Sequence, residues 1–421
     1  MNSTCFSLIF TQNINVMKLF FFFLFNICLI YSCFGQKDWE KKLQSQLILA
    51  EDGATIDLEA GNFVLSKSIS LESKKNITIR GKGMDKTILS FKGQTQGAEG
   101  LKISNAENIV LENFTIQDSK GDAIKTMHVD RIVFRKVKTE WTGKPKKENG
   151  SYGLYPVSCT NVLIDSCVAI GASDAGIYVG QSKNIVVKNC IAYHNVAGIE
   201  IENSLYAEVF HNEAYMNTGG ILVFDLPDLV QKKGGYVRVY ENHIHDNDLS
   251  NFAPKGNIVA KVPKGTGVLI LATNHVEVHN NRIINNRSVG VGIISYLMTE
   301  IPIKDTSYYP YPTGIYVHHN HFERANVRAT FEGRFGKMFW FKLKFGKKVP
   351  HILYDGIVDE KTLDKNGKVL SPFKICIQNN DNQSFANMDA ANGFKHVSRD
   401  EKPFDCSLSA SELWKEILYE K

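Results

Sequence analysis

Lys125, Tyr155, Tyr178 and Glu200 occupy one corresponding place in a string that the chain repeats, each a residue past the apolar opener of a short alternating segment. A cation, two phenols and a carboxylate in one line could move protons on a sugar acid. The cation would neutralise the sugar carboxylate, a base would take the C5 proton, and an acid would return one or release the leaving group. Asp174 precedes one such segment, and Glu202 and Asp225 follow in others, adding carboxylates able to bind hydroxyls or a cation. The tyrosines offer flat faces for sugar rings. Glu200 and Glu202, two apart on one strand, would stand roughly 6–7 Å apart on a single face, which also suits glycoside hydrolysis.

These residues align only if the chain stacks on itself. An anchor of the form apolar-x-apolar recurs as Ile109-x-Leu111, Ile132-x-Phe134, Val162-x-Ile164, Ile185-x-Val187, Ala207-x-Val209, Val237-x-Val239, Val276-x-Val278 and Ile315-x-Val317. The steps between anchors are 23, 30, 23, 22, 30, 39 and 39 residues. Five residues past each anchor come Phe114, Val137, Cys167, Cys190, Asn212, Asn242, Asn281 and Asn320. Alternation over five or six residues, punctuated by Gly and Asn, predicts short strands and turns. A unit of 22 or 23 residues cannot cover its own apolar side chains. Stacking such units about 4.8 Å apart pairs every strand and seals a narrow core. The expected fold is all-β, a single-stranded right-handed parallel β-helix of about ten rungs, with the longer steps carrying inserted loops. Asn at the fifth position suits an inward ladder and tolerates left-handed bends.

The ends follow from the same logic. Met17-Lys18, an apolar run from Leu19 to Ile30 and small residues up to Gly35 predict an export leader over 1–35, with Met17 as the true start and cleavage before Gln36. Lipidation of Cys33 stays open, so the destination is periplasmic, outer-membrane-attached or extracellular. Residues 36–55 read as an N-terminal cap, with Trp39, Leu43, Leu47 and Ile48 on one side of an amphipathic helix. The β-helix proper would span 56–320, followed by an insertion over 321–372, and by the last rung and a cap over 373–421. Of eight cysteines, five lie beyond the leader. Cys167 and Cys190 share an inward column, whereas Cys376, on the last anchor, is expected to bridge to Cys406 in the cap.

The insertion has its own chemistry. From Arg328 to Lys348 there are seven Lys or Arg and one Glu, interleaved with six aromatic residues. Phe339, Phe341, Leu343 and Phe345 alternate with Trp340, Lys342 and Lys344, which predicts a hairpin greasy on one face and basic on the other. Arg334, Lys337, Trp340, Lys342 and Lys344 would then face a polyanion, an anionic surface or a partner protein. Export argues against nucleic acid. Among histidines, His243-x-His245 and His318-His319-x-His321 stand out, and His279 with His318 falls in one outward column that could hold a metal. Calcium and copper both stay open as cofactors. Net charge is +5 over 421 residues, with 43% hydrophobic and 22% charged, as in a globular protein expected to be monomeric.

Two resemblances sharpen this reading. Tyr152-Gly-Leu-Tyr-Pro-Val157 resembles the Tyr-Gly-x-Asp-Pro-His loop of alginate C5-epimerases, themselves parallel β-helices, but Tyr155 replaces the acid and Val157 the histidine. Gly171 to Ser182, Asn195 to Ser204, Asn217 to Asp225 and Asn251 to Asn257 are similar to the signature runs of a bacterial family of secreted proteins with paired right-handed β-helix repeats. That resemblance implies export, the β-helix fold and a gene often paired with one for a secreted dihaem cytochrome, a candidate partner; it carries over no catalytic residue. More distant β-helix relatives include a periplasmic copper-handling protein. Three readings follow: a protein that binds, and can modify, a polysaccharide along the sheet that carries Lys125, Tyr155, Tyr178 and Glu200; a non-enzymatic scaffold docking an exported cytochrome through the basic-aromatic insertion; and a metal-handling β-helix.

Overall fold

The computed structural model describes residues 39–325, 328–330, 332–347 and 349–409. The expected leader, its cleavage site and Cys33 lie outside the described residues.

Apolar alternation becomes three parallel faces. On the first, Ile109, Ile132, Val162, Ile185, Ala207, Val237, Val276, Ile315 and Ile375 pair in one unbroken register. The first eight are at most 1% exposed and Ile375, at the end of the stack, 8%. A short second face stacks Ala169, Ala192, Ala214, Ile244, Ile283 and Phe322. The third stacks Ile177, Ile199, Ile221, Val268, Val291, Ile352 and Phe385. Every ladder joining these strands is parallel, and the right-handed β-helix expected from the repeat is the fold. Each fully buried Ile or Val contributes about 1.5–3 kcal/mol, and stacking lets every rung bury its own. Ile352–Tyr354 is a strand of the third face, so the stretch expected as one long insertion contains part of a rung.

The corners are polar and internally bonded. Asn212, Asn242, Asn281, Asn320 and Asn380 form the expected ladder: the last four each accept on the side-chain oxygen the backbone N–H of the Asn one rung earlier at 3.0 Å, and Asn212 accepts the Cys190 N–H at 2.9 Å. The left-handed bend, however, belongs to the preceding residue: Asn189, His211, Glu241, Asn280, His319 and Asn379 carry φ between 52° and 55°. The ladder side chain points inward because its neighbour makes the turn. Asn195, Asn217, Asn247 and Asn286 build a second ladder at the next corner, with backbone bonds of 2.9–3.4 Å.

A helix over 39–49 closes the first rung, with Leu43 and Leu47 at 2% and 1% exposed and Trp39 stacked on Phe63. Ile48, expected on that buried side, is 61% exposed, since Leu43 and Leu47 already fill the contact. At the other end Cys376 and Cys406 are disulfide-bonded, and Phe404 packs on Phe385 and Tyr354. Because Phe404 already tethers this segment, a Cys406→Ser variant should lose on the order of 2 kcal/mol in urea unfolding. Among the described residues no helix is long and apolar enough to cross a membrane.

Candidate functional site

The longer steps of the repeat place their extra residues on either side of the third face, at 225–234, 246–265 and 295–312 and in the described parts of 324–351. These segments fold over its outer side. Leu222, Phe224, Leu271 and Ile294 on the strands meet Val259, Val262, Tyr296, Tyr308 and Phe339 from above, making a second apolar core outside the coil. The outward line of Lys102, Lys125, Tyr155, then Tyr178, Glu200, Leu222 and Leu269 is in register as expected. It is not an open floor along its length. Lys102, Lys125 and Tyr155 are half-buried, but Tyr178, Glu200 and Glu202 are 4%, 1% and 8% exposed. An outward strand position reaches solvent only where no insertion lies over it, which periodicity cannot report.

At the rim of this cover the third face gathers acids and phenols. Tyr152, Tyr155 and Tyr178 pack with ring centroids 4.4–5.0 Å apart. The Lys125 ammonium lies 4.8 Å from the Tyr155 ring centre and 3.9 Å from Asp122. Tyr178 donates to Glu202 Oε1 at 2.6 Å, and Asn257, from the cover, donates its amide to Asp174 Oδ2 at 2.8 Å. A Cβ on Gly180 would fall 2.4 Å from the Tyr178 ring, so that glycine makes room for the phenol's position. Asp225 spends one oxygen on the Gly234 N–H at 2.7 Å. Its other oxygen and both Glu200 oxygens have no hydrogen-bond partner among the described residues.

Burial dominates the electrostatics. It pushes Asp174 up to about 7, against the Asn257 bond and with help from the Glu202 charge. Glu202 also rises to about 7 through burial, although the Tyr178 bond pulls it down. Glu200 is held well above the carboxylate range by burial, then by Asp174 and Glu202. Asp225 rises to about 7 and Asp122 to about 6, both mainly by burial. Burial raises Tyr155 to about 12 and pushes Tyr152 and Tyr178 upward. Carboxyls that hold and release protons near neutrality, beside phenols that stay protonated, form a set capable of acid–base work. The tyrosines are therefore donors, and a carboxyl is the better base. Tyr152, Asn257 and Asp122 belong to the cluster without having been singled out for it. Only the fold reveals that Asn257, 83 residues from Asp174, reaches it.

The other expected sites lie elsewhere. Gly333–Phe341 is a helix and not a strand of a hairpin. Phe339, Leu343 and Phe345 bury as one greasy set, while Phe341 turns out to 66% exposure, because helical geometry breaks the alternation. Arg334, Lys337, Lys342 and Lys344 are exposed; Arg334 pairs with Glu300, and Trp340, half-buried, lies beneath the Arg328 guanidinium. His279 and His318 do stack, ring centres 5.1 Å apart, but Glu277 engages both, 3.0 Å from His318 Nε2 and 3.9 Å from His279 Nε2, and also takes Arg238 at 2.9 Å. Burial lowers His279 to about 4.

A family model described as a right-handed beta helix region matches residues 146–301. The pre-neck appendage protein of Bacillus phage B103 is 26% identical over a match covering 41% of this chain. That match spans only 26% of the phage protein's length. Among solved structures, the A-module of mannuronan C-5 epimerase AlgE4 from Azotobacter vinelandii is similar at TM-score 0.51 and 16% identity, covering 82% of this chain and 89% of that one. The AlgE6 A-module of the same organism follows at TM-score 0.48 and 14% identity, covering 80% and 88%. At such identities the likeness is one of fold. Repeat, coordinates and matches agree: the chain is a right-handed parallel β-helix protein.

Proposed function

We propose that this is an exported protein that binds and processes an acidic polysaccharide at the rim where Lys125 and Tyr155 meet the covered carboxyls. The observation that carries the reading is the pair Asp174 and Glu202, each near 7, against three packed tyrosines and a lysine at the rim of the cover. On a uronate, Lys125 meets the sugar carboxylate and Tyr155 the ring face. The C5 proton passes to the Glu202–Tyr178 pair, and Asp174, in its protonated form, supplies the proton to the departing oxygen. The fold shared with mannuronan C-5 epimerase modules supports a uronate as the first substrate class to try, and the disulfide Cys376–Cys406 agrees with export.

The test is a panel of uronate polymers, followed by ultraviolet absorbance for unsaturated ends and by NMR for inverted C5 centres. Turnover is expected, and Lys125→Ala, Tyr178→Phe and Glu202→Gln should each lower it by about 10²–10⁴ while the chain stays folded. Neither binding nor turnover on any uronate, or variants indistinguishable from the parent, would overturn the reading. The exposed Phe341, flanked by Lys337, Lys342 and Lys344, favours a second reading in which the helix docks an acidic partner such as an exported cytochrome. As a non-enzymatic scaffold it requires partner binding to fail in Phe341→Ser and to be indifferent to Lys125→Ala, Tyr178→Phe and Glu202→Gln.

A further inference from the structure

A separate set of side chains lies on the short second face, remote in sequence from the tyrosine rim. His243–His245 is a three-residue strand, so Ile244 turns into the core and both imidazoles turn out. Register sets His243 on Glu213 and His245 on Tyr215 of the preceding rung. The two imidazoles stack with centroids 4.0 Å apart. Glu213 Oε1 lies 3.2 Å from His245 Nε2 and 3.7 Å from His243 Nδ1. One atom from each of the three residues falls within 4.8 Å of the others.

We infer that Glu213, His243 and His245 form a binding site for a divalent transition ion of the zinc or copper type. Two ligands about 2.0–2.1 Å from one tetrahedral ion stand roughly 3.3–3.4 Å apart, close to the spacings found here. Imidazole with one carboxylate is the donor set of zinc and copper, while calcium and magnesium prefer all-oxygen shells. The rings are also aimed. Asp246 Oδ2 takes His245 Nδ1 at 2.8 Å, leaving Nε2 for the ion, as the carboxylate partners of metal-bound histidines do. Tyr215 stacks on the other face of His245 at 5.2 Å and 3°, fixing the ring plane, and Tyr193 continues that stack one rung back. The side chains of Glu213 and His243 are 41% and 40% exposed, so an ion can enter from solvent and keep a position open. His318 and His279, by contrast, are already engaged, the first by Glu277 at 3.0 Å and the second by Arg238 at 3.5 Å.

Calorimetric titration of the chelator-treated, full chain with Zn²⁺, Cu²⁺ and Ca²⁺ salts separates the cases. One saturable Zn²⁺ or Cu²⁺ site is expected, with at least tenfold weaker binding in His243→Ala and His245→Ala. Asp246→Asn should weaken it by roughly 10–100-fold, and the His279→Ala/His318→Ala pair should leave it unchanged. In the unsubstituted protein the Cu²⁺ resonance spectrum should show nitrogen hyperfine coupling from two imidazoles, a readout that survives any variant that fails to fold. Absence of saturable binding, preference for Ca²⁺, or affinity lost with His279 and His318 instead would overturn the inference.

Discussion

Replacing Glu202 by glutamine is expected to leave stability unchanged near pH 4 and to raise it by about 3 kcal/mol at about pH 7.5. Burial lifts this carboxyl from 4.5 to about 7, so the folded chain keeps a proton that the unfolded chain has released. Raising the pH between those values favours the unfolded state. The group's contribution is fully present below the unfolded value and is lost as pH climbs through the folded one. Glutamine fills the same space, still accepts the Tyr178 hydroxyl and carries no charge, so it escapes the loss. The effect is read as a difference between variant and parent because other groups slope the other way. His279 and His351, each lowered to about 4 by burial, lend stability that grows as pH rises over much of the same range. Urea unfolding at three pH values across the window measures it. A variant no more stable than its parent at the upper end would mean that Glu202 is solvated or paired in the native protein.

The Asn242→Ala variant should lose about 3–6 kcal/mol in the same measurement, the largest single effect expected. Asn242 Oδ1 accepts both the backbone N–H and the side-chain amide of Asn212, each at 3.0 Å, and its own amide donates to Val209 O at 2.9 Å. Alanine strands these groups at a corner where Asn212 and Asn242 are each 2% exposed. Each unsatisfied buried group costs about 1–3 kcal/mol, and the void adds to it. Because every rung contacts only its neighbours, the damage should show as an early transition near residues 205–245 by hydrogen exchange. Uniform loosening of the whole stack would argue against that local picture.

Much of the fold was legible because its period is written in side chains that must all turn inward. The anchors, the first Asn ladder and the outward line from Lys102 to Leu269 all follow from counting. What the count misses is what leaves the rung. Nothing in 246–265 states that it crosses the third face, yet Asn257 meets Asp174 there, and Val259 and Val262 roof the strands. The second ladder was also within reach of counting: Asn195, Asn217, Asn247 and Asn286 each stand ten residues past the anchors Ile185, Ala207, Val237 and Val276, but the count stopped at the fifth position. The helix at Gly333–Phe341 escaped because alternating Phe and Lys reads as a strand until burial of Gly336 and Phe339, with Phe341 exposed, shows a helical face.

The roof over the third face also limits how long a chain of sugars could lie along it. Gln44 bonds Ser70 at one end of the bare stretch, and Asn257 holds Asp174 at the other. Between them, on the outward line, Lys102, Lys125 and Tyr155 stay within reach of solvent, a footprint of roughly 10 Å at the rung spacing. A polymer would have to enter tip first or cross the rod sideways, so short oligomers and chain ends should be handled better than the middle of long strands.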